Sequence, residues 1–325
     1  MNRTPFASLA AVLVLLAAGA AVAAGPQLDP GLATYAKVEG LRGTLNAAGS
    51  DTMLELQTLM AEEFRKLYPQ VQIQVEGKGS STAPPALIEG TAQLGDMSRK
   101  MKNEEVDVFE SKFGYEPTRF DVALDTLAVF VNKDNPIKSL TLQQVDAIFS
   151  KSRKCGFTSD VSLWGQLGLT GNWGTAPISL YGRNAASGTY GFFKDNALCK
   201  GDYKDTVKEQ PGSASVVQGI ENDRFGIGYS GIGYQTSGVR ALPLAPAEGS
   251  PAVAATAEGA RNGSYPLSRF LYVYVNKAPG KPLDRLTAEF VRFILSADGQ
   301  RIVLKAGFDP LDAATAAQQL ANLEK

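Results

Sequence analysis

Four short segments of this chain combine glycine with hydroxyl side chains, and two of them add an arginine. They are Gly49-Ser50-Asp51-Thr52-Met53, Gly77-Lys78-Gly79-Ser80-Ser81-Thr82, Gly95-Asp96-Met97-Ser98-Arg99 and Gly182-Arg183-Asn184-Ala185-Ala186-Ser187-Gly188-Thr189. Each reads as the junction between a strand and a following helix. A helix N-terminus carries unpaired N–H groups and about half a positive charge, so it accepts an anion. Glycine lets the backbone approach such a ligand, hydroxyls add neutral donors, and arginine adds a charged fork matched to an oxyanion. Any one cluster is also explained by ordinary N-capping, for which Ser, Thr and Asp are preferred. Capping alone requires neither Arg99 after Ser98 nor Arg183 four residues before Ser187.

Other chemistries are excluded by composition. The 325 residues include no histidine, which removes Ser-His-Asp and Cys-His catalysis and His-ligated zinc. Two cysteines cannot build a four-thiolate metal site. Lys+Arg of 32 against Asp+Glu of 33 gives a net charge of −1, without the basic face that nucleic acid requires. Neither a G-x-x-x-x-G-K-[ST] loop nor a well-placed G-x-G-x-x-G is present. Gly226 to Gly233 alternates glycine with larger residues and reads as a packed strand and turn. Carboxylate or lysine chemistry, an oxygen-ligated metal, or plain binding stay open, and no acidic spacing recommends an enzyme.

The elements that must position the clusters alternate. Thr44–Ala48 reads as a strand, and Met53, Leu56, Leu59, Met60, Phe64 and Leu67 form one helical stripe. Residues 71–75 (VQIQV) alternate as a strand, Ala83 to Glu89 looks helical with Pro84 in its first turn, and Leu94–Met97 is a short strand. A further helix follows through Val106 and Phe109. This strand–helix alternation predicts an α/β fold with a largely parallel sheet. Two apolar strands of similar texture, 124–132 (LDTLAVFVN) and 270–276 (FLYVYVN), read as links between two lobes. The expected division is residues 25–126 plus 268–325 as a discontinuous lobe I and 127–267 as an inserted lobe II. A simple split into N- and C-terminal halves is the alternative. The Ala-rich stretch Pro246 to Ala260 reads as a surface loop, and Trp164 and Trp173 as packing residues.

Residues 1–24 read as a cleaved secretory signal: Arg3, an apolar run from Phe6 to Ala20, then the small-x-small pattern Ala21-Val22-Ala23. No later stretch approaches ~18 consecutive apolar residues. In an oxidising compartment Cys155 and Cys199 pair most simply as one disulfide closing a loop of 199 − 155 = 44 residues.

With these four clusters, the chain resembles the periplasmic phosphate-binding proteins of phosphate ABC importers, from about Gly43 to Phe308. The most specific element is Arg183-x-x-x-Ser187-Gly188-Thr189, followed by Gly79-Ser80-Ser81; Gly212 to Gly219 and Gly226 to Tyr229 share the texture. The resemblance implies a two-lobed, type II-like periplasmic-binding-protein fold, each lobe a mixed sheet flanked by helices, with inorganic phosphate in the cleft. It implies no cofactor and no metal, a periplasmic monomer that binds without catalysis, and a membrane permease as partner. The phosphate ligands it implies are Ser50, Asp51, Thr52, Met53, Ser80, Ser81, Ser98, Arg99, Arg183, Ser187, Gly188 and Thr189. Well-known members carry aspartate where Arg99 stands and, in many cases, two residues after the binding arginine, here Ala185. Such an acceptor meets the proton of phosphate and repels sulfate, which has none; Asp51 or Asp96 is expected to supply it. Alternatives are another tetrahedral oxyanion such as sulfate, an exported phosphate-transfer enzyme, or a phosphate-scavenging surface protein without an importer.

Overall fold

The computed structural model describes residues 27–324; the signal-peptide expectation for residues 1–24 lies outside them. Eleven strands are formed: β1 Gly43–Gly49, β2 Val71–Glu76, β3 Leu94–Met97, β4 Thr118–Asn132, β5 Leu140–Thr141, β6 Ser179–Arg183, β7 Lys208–Gln210, β8 Gly226–Gly231, β9 Val239–Ala241, β10 Leu244–Ala245 and β11 Ser268–Val275. The helices are α1 Leu54–Leu67, α2 Ala83–Glu89, α3 Asn103–Phe113, α4 Leu142–Phe149, α5 Gly188–Ala197, α6 Ser213–Glu221, α7 Ala257–Arg261, α8 Arg285–Leu295, α9 Ala297–Lys305 and α10 Ala313–Glu324.

One curled mixed sheet runs β2-β1-β3-β11-β4-β8-β6-β7, with β9 also on β4. β1 is parallel to β2 and β3, and β6 is parallel to β7 and β8. β11 and β4 are antiparallel in the middle. The 15-residue β4 is the seam. From Thr118 to Thr126 it pairs with β11, and from Leu127 to Val131 it pairs with β8. The Leu127 amide also donates to the Leu267 carbonyl at 2.9 Å, just before β11 begins.

Helices cover both faces of each half, which gives the two-lobed α/β architecture its layers. The α1 stripe seals one side: Leu56, Met60 and Phe64 are buried, and Phe64 packs on Phe290 and Phe293 of α8 at centroid distances of 5.0 and 5.3 Å. Leu87, Met97, Phe109 and Tyr272 fill the opposite side. In the other half Trp164, Trp173, Phe149, Phe193 and Tyr229 form the main core, and Val216, Val217 and Ile220 of α6 seal its reverse face. The two tryptophans pack edge to face, as expected of packing residues.

Two local expectations change. Residues 246–260 are not all loop, because Val253 pairs with Leu244 and the Thr256 hydroxyl accepts from the Gly259 amide to start α7, burying Gly259 and Ala260. Ser98-Arg99 does not open a helix. α3 starts only at Asn103, where Glu105 accepts the Lys102 amide and fixes the start downstream. Cys155 and Cys199 are joined in a disulfide. Among the described residues no helix is long and apolar enough to cross a membrane.

Candidate anion-binding site

The four clusters, far apart in sequence, meet at one buried place where the halves face each other. Ser50 donates its amide to the Asp96 carbonyl at 2.7 Å, and Gly79 donates to the Gly49 carbonyl at 2.7 Å, which ties the first three clusters together. Ser81 then donates across the cleft to the Ala186 carbonyl of the fourth, at 3.1 Å. Gly79 has φ +110°, and a Cβ there would stand 2.6 Å from that carbonyl, so only glycine permits this approach.

Capping explains only one of these hydroxyls. Ser187 accepts from the Thr189 amide at 3.2 Å at the start of α5. Ser50 makes no cap bond, and its hydroxyl is buried without a partner. Thr52 Oγ1 meets Thr189 Oγ1 of the other half at 2.8 Å, both fully buried. Ser80 Oγ accepts from the Ser98 amide at 3.0 Å and lies 3.3 Å from Ser98 Oγ. Gly188 faces this pair so closely that a Cβ would fall 2.3 Å from Ser80 Oγ and 2.6 Å from Ser98 Oγ. Met53 places its side chain in the core, and its amide donates to the Ser50 carbonyl at 3.2 Å.

The two arginines have different surroundings. Arg183 ends β6 and is only 1% exposed. Its fork donates to the Asp51 carboxylate, to Ser213 Oγ at 3.0 Å and to the Pro211 carbonyl at 3.3 Å. The other Asp51 oxygen, Oδ1, is buried with no partner. Arg99, by contrast, has its fork held by both Glu105 oxygens at 2.7 and 2.8 Å, and reaches Ser81 Oγ at 3.2 Å. It bridges α3 and the second cluster rather than standing as an open fork. Asp96 binds the Gln57 amide through Oδ1 at 3.0 Å, and burial pushes its carboxyl well above the usual carboxylate range.

Three contributors escaped the sequence reading. Ser213, the first residue of α6, orients Arg183. Arg269 of β11 donates to Thr189 Oγ1 at 2.8 Å, and its cross-strand neighbour Asp125 of β4 receives Nε and Nη2 at 3.0 and 2.8 Å. The signal for this pair was present: a charge inside one apolar strand and another directly before the second require each other if both are buried. No group of three or more His, Cys, Asp or Glu suited to a metal occurs among the described residues. The arrangement is thus a buried nest of hydroxyl and amide groups with the Arg183 fork bonded to the Asp51 carboxylate, whose second oxygen can accept from an oxyanion that carries a proton.

Residues 34–298 match the family model of the PBP superfamily domain. The chain is 56% identical over 316 residues to the phosphate-binding protein PstS of Pseudomonas aeruginosa, covering 97% of this chain and 98% of the relative. The chain belongs to the PstS family of phosphate-binding proteins. A second PstS relative, from Staphylococcus epidermidis, is 27% identical over 80% of this chain and 77% of its own. Among solved structures, a Clostridium perfringens protein described as a phosphate ABC transporter substrate-binding protein with bound phosphate superposes with a TM-score of 0.70. It is 26% identical and covers 83% of this chain and 100% of its own. A Vibrio cholerae phosphate transport receptor at 22% identity and TM-score 0.64 supports the fold alone.

Proposed function

We propose that this protein captures inorganic phosphate between its two lobes and delivers it to an ABC importer, binding without catalysis. The observation that carries the reading is the convergence of Thr52, Ser80, Arg183 and the start of α5 on one buried spot with a partnerless acceptor, Asp51 Oδ1. Arg183 supplies the charged fork, Thr52, Ser80 and Ser187 the hydroxyls, with Thr189 behind Thr52, and the α5 N-terminus beginning at Gly188 its amides. Ser50 adds its free hydroxyl, Arg99 holds Ser81 in place from the rim, and Ser98 holds Ser80. Asp51 accepts the proton of phosphate, which places the discrimination against sulfate in the first cluster rather than at Arg99 or Ala185.

The lobes divide at Thr126/Leu127 and Leu267/Ser268, where β4 changes partners and the Leu127–Leu267 bond lies. These two crossings form the hinge about which the lobes close. Export to the periplasm, presentation of the closed form to a membrane permease, and action as a monomer complete the proposal. Titration of phosphate-stripped protein tests it. Wild type should bind phosphate, and folded Arg183→Ala should lose tight binding. Normal affinity in folded Arg183→Ala would contradict the site.

A further inference from the structure

We infer that Arg269 is a positioning residue that fixes the hydrogen-bond direction of the Thr189–Thr52 hydroxyl pair, turning it into a donor aimed at unprotonated phosphate oxygen. The inference rests on the phosphate reading above and deepens it. Arg269 and Asp125 are directly opposed in the β11–β4 register, with side chains only 2% and 0% exposed. Both Nε and Nη2 donate to Asp125 Oδ2, and the guanidinium carbon lies 5.0 Å from the centre of the Phe192 ring. Carboxylate and ring together hold the fork in one orientation. From there Nη2 also reaches Thr189 Oγ1 at 2.8 Å.

A guanidinium has donors only. Thr189 Oγ1 therefore accepts from Arg269, and its single proton must point elsewhere. The other partner within reach is Thr52 Oγ1, at 2.8 Å. With Thr189 donating to it, the proton of Thr52 is in turn released toward the cleft. The run Asp125, Arg269, Thr189, Thr52 thus has one direction, set from the buried end. Without Arg269 either threonine could donate to the other, and the pair could turn a lone pair toward the anion. The pair's donor end and the Asp51 acceptor then sort the ligand's oxygens: bare oxygen toward Thr52, protonated oxygen toward Asp51. Arg269 pairs with β4 two residues before β4 switches to β8, so the device joins the seam to the site.

The test is a double-mutant cycle read by phosphate titration calorimetry, with thermal unfolding of phosphate-free protein measured in parallel. Losing a bond from a charged donor predicts that Arg269→Gln binds phosphate about 10- to 100-fold more weakly. In a Thr189→Val background, where no hydroxyl remains to orient, the same change should alter affinity less than about threefold. Thermal unfolding shows that each variant is folded before its affinity is read. An equal loss of affinity in both backgrounds, or unchanged affinity in Thr189→Val, would overturn the inference. If Arg269→Gln does not fold, Asp125→Asn/Arg269→Gln removes both buried charges and carries the same cycle. Absence of phosphate binding by wild type would instead sink the phosphate reading itself, so the two failures are distinguishable.

Discussion

Gly188→Ala should separate binding from folding. Gly188 is the first residue of α5 and lies across the cleft from Ser80 and Ser98. An added Cβ would sit 2.3 Å from Ser80 Oγ and 2.9 Å from Ser80 Cβ. The Ser80 hydroxyl is held by the Ser98 amide, so rotating it away would give up that bond and still leave the Cβ contact. Restoring an ordinary separation of about 3.4 Å from Ser80 Oγ means opening the cleft by about 3.4 − 2.3 = 1.1 Å. The Thr52–Thr189 contact of 2.8 Å would then become about 3.9 Å, and the Ser81–Ala186 bond of 3.1 Å about 4.2 Å. Both exceed hydrogen-bond range. Two neutral bonds at ~1 kcal/mol each, plus the weaker grip on a ligand held from one side, amount to about 2–4 kcal/mol. Phosphate affinity should fall roughly 30- to 700-fold. Folding should not suffer, because alanine favours a helix over glycine by ~1 kcal/mol and the open form has room for it. Calorimetry with phosphate and thermal unfolding without it give the two readings. A folded Gly188→Ala protein with affinity within threefold of wild type would refute the closure geometry.

Three further outcomes follow from the same structure. Asp51→Asn replaces the partnerless acceptor with a group that can donate; phosphate affinity should drop about 10- to 100-fold and the gap to sulfate should narrow in competition titrations. Unchanged discrimination would remove Asp51 from that role. Opening the Cys155–Cys199 loop of 44 residues by Cys155→Ser/Cys199→Ser should cost ~4 kcal/mol by the chain-entropy relation, read as a lower midpoint in urea with phosphate affinity retained. Asp309, buried beside Arg261 and near Asp125, has its carboxyl pushed up to about 6, chiefly by burial. Its neutral form suits the fold, so its contribution is full below about pH 4, where the unfolded group is also protonated, and is lost as pH rises through 6. Asp309→Asn should therefore raise the unfolding temperature more at pH 7.5 than at pH 4.5. A pH-independent effect would contradict this.

Much of the architecture was legible because burial writes itself into strands as apolar runs. Residues 124–132 and 270–276 stood out for this reason, and β4 and β11 are the central antiparallel pair. The α1 stripe and the VQIQV alternation marked their elements equally well. What the pattern could not show was ownership of charge. Arg99 follows Ser98 as Arg183 precedes Ser187, yet one fork closes on Glu105 six residues on, and the other on Asp51 across the cleft. Local sequence does not distinguish a rim arginine from a cleft arginine, because the deciding carboxylate arrives by folding. Asp125 was hidden inside a strand read for its apolar content and Arg269 stood one residue before the other, although the cost of burying either alone implied a mate. The helix expected directly after Ser98-Arg99 failed because Glu105 caps α3 at Asn103.

The central claim is that distant loops form one phosphate-selective site, and it is tested most directly by titrating phosphate-stripped wild-type protein with phosphate and, separately, with sulfate. Phosphate should fill a single saturable site per chain, and sulfate at equal concentration should not. A folded protein that binds sulfate as tightly as phosphate, or binds neither, would contradict the account.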